Sequence, residues 1–353
     1  MKRKLNYFYL SLLGFTLLTL GACNKNDDVG PEPQIPDHIG MYILNEGRFG
    51  QSDATLGFFT LNSQQYNDNV FSEINDGATL GDNANDMLRH GAKLYVTVTE
   101  SNKIEVLDYS NGEIIATIPM NKPRSLAYAG NKIFVTNYNN HVVAIDTSSL
   151  EKTDSIQVGR TPEEIVRFNG RLYVANSGSE NGWSTGEFDN RVFVLNPSPL
   201  SIDRTIEVAD NVTSLTVDSV RSRIFANAVE TNTNPSSLYV INTQTNESPV
   251  KFNYGAKKML VVGNQALLIS DNFEDDKNIV LLMDLTTRDA VKFIDNEEIK
   301  YPYGLGGIEL GEIWIADAGD FTSKGKIHRY ANNGSPVGNI EVGIAPKKII
   351  LRQ

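Results

Sequence analysis

The chain has 353 residues, with 43 acidic against 32 basic side chains for a net charge of −11, and it is 40% hydrophobic and 21% charged. The acidic balance argues against a nucleic-acid partner, because phosphate backbones demand clustered Lys and Arg, and the apolar content rules out wholesale disorder. One cysteine excludes an internal disulfide framework or a multi-cysteine metal site, and four histidines leave little for a histidine-rich centre.

The chain opens with Lys2, Arg3 and Lys4, then an uncharged apolar run from Leu5 to Leu20, then Gly21, Ala22 and Cys23. That order reads as a bacterial export signal over residues 1–22. Leu20-Gly21-Ala22-Cys23 resembles a lipobox, which implies cleavage before Cys23 and lipidation of that residue. The alternatives are an ordinary secretory peptide or a membrane helix that carries a cysteine. Cleavage removes three basic residues and no acidic ones, leaving 29 basic against 43 acidic and a net charge of −14. Residues 23–40 include Asn24-Lys25-Asn26-Asp27-Asp28 and two prolines by position 33. Such a stretch buries nothing and reads as a flexible tether. Its acidic run resembles the surface-export signal of Bacteroidetes lipoproteins, which implies a protein lipid-anchored to the outer membrane and facing outward. A plain polar linker would leave it facing the periplasm.

From residue 41 one unit recurs. Short apolar runs stand at Met41-Tyr42-Ile43, Leu94-Tyr95-Val96, Ile133-Phe134-Val135, Leu172-Tyr173-Val174, Ile224-Phe225-Ala226, Leu267-Leu268-Ile269 and Ile313-Trp314-Ile315. Each is followed by a second run that mostly ends in Asp or Asn, by a polar turn and third run, and by a fourth run that usually opens with Pro or a small residue. Nothing sustains a helical period, and β-branched and aromatic runs between turn residues read as strands. Four strands per 40–50 residues make the blade of a β-propeller. The spacing therefore predicts an all-β, seven-bladed β-propeller of four-stranded antiparallel blades over residues 41–353. The first repeat lacks its opening strand, and Pro346 to Leu351 is a strand of that type with nothing after it. The C-terminal strand should close the first blade and remove the open edge of the ring.

With strands A to D counted from the axis outward, the B–C loops and D–A crossovers share one face. The turns of the other face are tight, as at Asn169-Gly170. The B–C loops are long, and loops longer than a turn requires usually bind something. The candidate ligand-binding residues of this face are Asn45, Arg48, Phe49, Asp82, Asn83, Asn85, Asn137, Tyr138, Trp183, Asn272, Phe273, Tyr301, Tyr303, Asp317 and Phe321, with Arg124 and Arg160 in the crossovers. Aromatic rings supply apolar area at low entropy cost, while amides and carboxylates fix orientation. Asn45, Asn137, Asn176, Asp271 and Asp317 share one register in five blades, so a loop-capping role through Asx turns is expected for them. Trp183 lies among Ser, Gly and Glu with no strand to pack in and is the leading candidate.

No glycine-rich phosphate loop, nucleophile elbow or zinc-protease motif is present. The four histidines are scattered, and adjacent carboxylates such as Glu163-Glu164 do not by themselves define a general acid and base. The acidic run Asp271 to Asp276 lacks the spacing of a calcium loop. The sequence thus predicts no catalytic residue, no metal and no catalytic cofactor.

Ile133-Phe134-Val135-Thr136-Asn137 resembles the YVTN (YncE-like) propeller repeat, a likeness that covers about residues 41–353 and specifies fold rather than activity. Tyr42 to Gly50, Ala54-Thr55-Leu56, Leu80 to Met87, Lys122-Pro123-Arg124 and the Trp183 loop resemble a Bacteroidetes surface-lipoprotein branch that includes the BtuG-type cobalamin-binding lipoproteins. This resemblance implies a non-enzymatic binder of cobalamin that sits over a TonB-dependent outer-membrane corrinoid transporter and touches the membrane through its lipid anchor alone. A propeller binder of a glycan or partner protein is the alternative, and a propeller lyase or lactonase a third.

Overall fold

The structure, a computed structural model, describes residues 39–352 apart from 253, 272–277, 295–297 and 308–309. The export signal, Cys23 and nearly all of the tether, together with Asn272 and Phe273, lie outside the described residues.

Seven four-stranded antiparallel sheets make a seven-bladed β-propeller. Blade 1 combines Gly40–Asn45, Thr55–Thr60 and Gln65–Asn67 with the C-terminal strand Pro346–Arg352, which lies innermost. The ring is therefore closed by the last strand pairing with the first, Met41 opposite Leu351 and Ile43 opposite Ile349. Tyr109 of blade 2 donates its hydroxyl to the Leu351 carbonyl and so fastens this strand to the neighbouring blade.

The second strand of each blade reads as a continuous apolar run because both of its faces are buried. Alternate residues serve opposite neighbours: Met41 and Ile43 pack with Trp314 and Ile327 of blade 7, whereas Tyr42 and Leu44 pack with Leu94 and Val96 of blade 2. Among the described residues each of the seven blade interfaces has its own hydrophobic cluster. Burial of a Val, Leu or Phe side chain contributes roughly 1.5–3 kcal/mol, so stability is spread around the ring rather than held in one core.

Among the described residues two short helices interrupt the strand pattern. Val70–Ile74 lies in the crossover from blade 1, with the Asn69 side chain accepting from the Ser72 N–H at 3.3 Å. Ser179–Thr185 lies in the B–C loop of blade 4 and ends at Gly186, whose φ of 77° suits a left-handed helix stop. Neither is long enough to show a helical period in the sequence.

One bond recurs on the long-loop face. The first residue past the second strand donates its N–H to the carbonyl of the residue that leads into the innermost strand: Glu46 to Ala345, Thr99 to Asn83, Tyr138 to Lys122, Ser177 to Thr161, Val229 to Asn211 and Ala318 to Tyr301. In the first five the lead-in residue has a left-handed backbone, with φ from 38° at Lys122 to 62° at Asn211. The bond delivers six of the innermost strands to the axis, five of them through a left-handed lead-in residue.

Candidate ligand-binding site at the axial mouth

Each innermost strand starts on the long-loop face with Pro or a small residue, two further residues, and then an apolar one. The sets are Pro346-Lys347-Lys348-Ile349, Ala84-Asn85-Asp86-Met87, Pro123-Arg124-Ser125-Leu126, Pro162-Glu163-Glu164-Ile165, Val212-Thr213-Ser214-Leu215, Ala256-Lys257-Lys258-Met259 and Pro302-Tyr303-Gly304-Leu305. In six of them the pairing with the second strand slips at the middle two residues. Such a β-bulge takes a residue out of the ladder and re-aims its side chain. Consecutive residues that a regular strand would send to opposite faces thus both reach the axis. Asn85 with Asp86, Arg124 with Ser125, Glu163 with Glu164 and Lys347 with Lys348 all line an axial cavity of about 480 Å³.

The outer ring of this cavity is a continuous polar chain. Lys347 Nζ donates to Glu46 Oε1 at 2.9 Å and to Asn85 Oδ1 at 2.7 Å, and Asn85 Nδ2 donates to the Arg124 carbonyl at 2.8 Å. The Arg124 guanidinium donates to Glu163 Oε2 at 3.0 and 2.8 Å and lies 4.9 Å from the centre of the Tyr138 ring. Tyr138 Oη donates to Glu163 Oε1 at 2.8 Å, and Tyr303 Oη donates to Glu46 Oε2. Desolvation pushes the Glu46 carboxyl up, but the Lys347 charge and the Tyr303 hydrogen bond outweigh it and hold the group below the ordinary glutamate value. Burial, and then the charge of Glu46, raise the Tyr303 phenol well above its usual range. Tyr138 is raised by burial and by Glu163 in the same way. The mouth therefore presents two carboxyl groups, an amino and a guanidinium group and two neutral phenols, each fixed by a partner.

Beside this ring stands an aromatic wall. Phe321 meets Tyr301 and Tyr303 edge to face at 4.8 and 5.0 Å, and the two tyrosines lie 6.3 Å apart. Lys257 Nζ sits 5.2 Å from the Tyr301 ring centre and 3.6 Å from Asp271 Oδ2. Edge-to-face packing fixes the ring planes without filling the mouth.

The sequence candidates divide into groups. Asn85, Arg124, Tyr138 and Tyr303 converge on the axial mouth, with Tyr301 and Phe321 at its side. Asn45, Asn137 and Asp317 hold loops: Asn45 Nδ2 donates to Thr55 Oγ1 and Tyr66 Oη at 2.9 and 3.0 Å, Asn137 Oδ1 accepts from the Asn139 N–H at 3.0 Å, and Asp317 accepts the N–H groups of Lys300, Tyr301 and Gly319. Asp82 accepts the Gly50 N–H and so pins the loop that carries Arg48 and Phe49, while Asn83 supplies the lead-in turn of blade 2. Arg48 pairs with Asp53 at 2.7 Å, and Phe49 is 74% exposed. Arg160 donates to the Phe188 carbonyl at 2.9 Å. Trp183, on the short helix of blade 4, packs edge to face on Phe188 yet stays 49% exposed.

Lys347, Glu46 and Glu163 complete the mouth and were not among the candidates. For Lys347 and Glu163 the signal was present in the aligned openings of the seven innermost strands, where the two residues after Pro or a small residue are polar in most blades; Glu46, just past the second strand of blade 1, carried no such signal. Among the described residues no group of three His, Cys, Asp or Glu side chains is arranged to hold a metal.

Residues 39–111 match the model of a domain of unknown function, DUF5074. No curated protein gives a significant sequence match. Solved structures of similar shape include a quinonprotein alcohol dehydrogenase-like protein from Bacteroides thetaiotaomicron, 15% identical over 89% of this chain and 79% of that one with a TM-score of 0.65. The periplasmic gluconolactonase of Pseudomonas aeruginosa is 12% identical over 88% of this chain and 99% of its own, with a TM-score of 0.62. The hydrazine synthase of Kuenenia stuttgartiensis is 14% identical over 68% of this chain and 73% of its own, with a TM-score of 0.56. At these identities the likeness establishes the propeller fold alone.

Proposed function

We propose that this protein is a non-enzymatic surface lipoprotein, anchored to the outer membrane through Cys23, that captures cobalamin at the axial mouth and hands it to a TonB-dependent corrinoid transporter. The observation that carries this reading is the junction of a fixed polar ring with an aromatic wall on the long-loop face. A corrin is broad, apolar across its face and rimmed with neutral amides. Amides need both donors and acceptors held in place, and Lys347, Arg124, Asn85 and Glu46 offer them. Tyr301, Tyr303 and Phe321 supply flat apolar area beside them. Because each polar group is already held by a neighbour, little side-chain freedom is lost on binding, which favours high affinity. Phe49 and Trp183 project from blades 1 and 4, far apart around the ring, and suit contacts with the ligand periphery or with the transporter.

The test is equilibrium titration of the purified protein with cyanocobalamin. A saturable complex at or below about micromolar concentration is expected, corresponding to roughly −8 kcal/mol or better. Phe321→Ala and Arg124→Met should each weaken it at least about tenfold. No saturable complex would remove cobalamin as the ligand, and a complex indifferent to both changes would move the site away from the mouth.

A further inference from the structure

Beneath the mouth, the third residues of the innermost-strand sets make an inner ring with a different chemistry. Its carboxylates are committed to the fold. Asp86 Oδ2 accepts from Ser125 Oγ and from the Leu126 N–H, both at 3.0 Å, and its Oδ1 accepts from the Met87 N–H at 2.9 Å and pairs with Lys348 at 3.0 Å. Glu164 Oε2 accepts from the Leu215 N–H of blade 5 at 3.1 Å and stands 3.6 Å from Lys258 Nζ. The carboxylates thus act as staples from one blade to the next.

The cations of the same ring are left with donors to spare. An ammonium group has three N–H donors and a guanidinium five. Lys348 is paired with Asp86 while it also feels the Glu164 charge, and Lys258 is paired with Glu164; each makes one ion pair, and their side chains are 42% and 40% exposed toward the cavity. Above them, Lys347 uses two donors, and Arg124 spends its bonds on a single oxygen of Glu163. Glu163, in turn, has both oxygens occupied, by Arg124, Tyr138 and Ser177. Apart from Glu164 Oε1, the carboxylate oxygens facing the cavity are engaged, whereas the cations keep N–H donors to spare. Gly304 and Gly306 leave that side of the wall without side chains, and the about 480 Å³ cavity has room for a small organic molecule.

We infer that the axial cavity is a binding site for a small oxyanion ligand, a phosphate- or carboxylate-bearing molecule held between Lys258 and Lys348 with Arg124 and Lys347 above it. The oxyanion oxygens take up the unused N–H donors, and the two lysines act as point charges on either side. The site does not depend on the identity of the ligand at the mouth, so failure of cobalamin to bind leaves it standing.

Isothermal titration of the purified protein with inorganic phosphate and, separately, with citrate tests this. At low salt, saturable binding of at least one anion is expected with Kd below about 1 mM, weakening as chloride is added. Binding of both establishes the shared oxyanion chemistry, and binding of one alone identifies the phosphate or the carboxylate as the group recognised. Lys258→Gln and Lys348→Gln should each weaken it about tenfold, with Lys152→Gln on the outer surface as the unaffected control. Lys258→Gln is the safer of the two, since Glu164 is itself partly exposed and circular dichroism will report whether the fold is intact. Absence of binding to both anions at about 10 mM overturns the proposal, as does binding that neither lysine substitution alters.

Discussion

Blades 1–4 and blades 5–7 carry the same four-stranded unit but treat the axis differently. In blades 1–4 the axial side chains run Lys347-Lys348, Asn85-Asp86, Arg124-Ser125 and Glu163-Glu164, and they bond one blade to the next. In blades 5–7 the matching residues are Thr213-Ser214, Lys257-Lys258 and Tyr303-Gly304. One side of the mouth is thus a rigid ion-paired arc, and the other a less charged wall with aromatic rings. A ligand needs both, because fixed donors give orientation and open space gives admission. The repeat supplies the scaffold, and departures from the repeat supply the site.

The contrast is broken most forcefully at Asp86. Asp86→Ala removes the acceptor of Ser125, Leu126 and Met87 and leaves Lys348 without its pair, so a loss of about 3–5 kcal/mol is expected. Glu164→Ala, at the border with the open half, removes one backbone bond and a looser, more exposed pair, for about 1 kcal/mol. Urea unfolding of the two variants measures the difference; equal losses would mean that the two arcs are held alike.

The next effect lies in blade 7 and shows in acid. Desolvation raises the Asp317 carboxyl, but His328 and the N–H groups of Tyr301, Gly319 and Lys300 outweigh it and bring the group to about 2 from 3.8. A lowered folded-state value contributes stability that is complete above the unfolded value and is lost as pH falls through the folded one. The shift corresponds to roughly 2 kcal/mol at neutral pH, disappearing between about pH 4 and pH 2. Asp317→Asn should lose this at pH 7 and show a flatter fall in melting temperature over that window. A variant with an unchanged acid profile would show that Asp317 does not anchor the aromatic wall electrostatically.

The blades were legible because their second strands are buried on both faces, which forces unbroken apolar triplets such as Ile133-Phe134-Val135 at every turn of the ring. Closure was legible because the Pro346 strand had no partner after it. The mouth was only half legible. Strict alternation sends Glu163 and Glu164 to opposite faces, and no glycine marks the bulge that brings both to the axis. Lys347 and Glu46 lie 301 positions apart and meet only because the ring closes. The loop aromatics announced themselves by composition, yet the tips bearing Phe49 and Trp183 stand apart from the ring that Arg124 and Tyr303 build.

The smallest expected effect separates the blades by their lead-in turns. Ala345 holds φ at 52° while its carbonyl accepts the Glu46 N–H at 2.9 Å, so the left-handed backbone is what places Glu46 beside Lys347. An alanine in that region is strained by about 1–2 kcal/mol, whereas glycine is not. Glycine also costs about 0.4–1 kcal/mol through the freer unfolded chain. Ala345→Gly should therefore stabilise the protein by up to about 1 kcal/mol. Ala256, at the opening of the blade 6 strand, has no positive φ and is fully buried. Ala256→Gly should act in the opposite sense, destabilising by about 1 kcal/mol. Melting temperatures that move in the same direction for both would mean that the left-handed lead-in at Ala345 carries no strain.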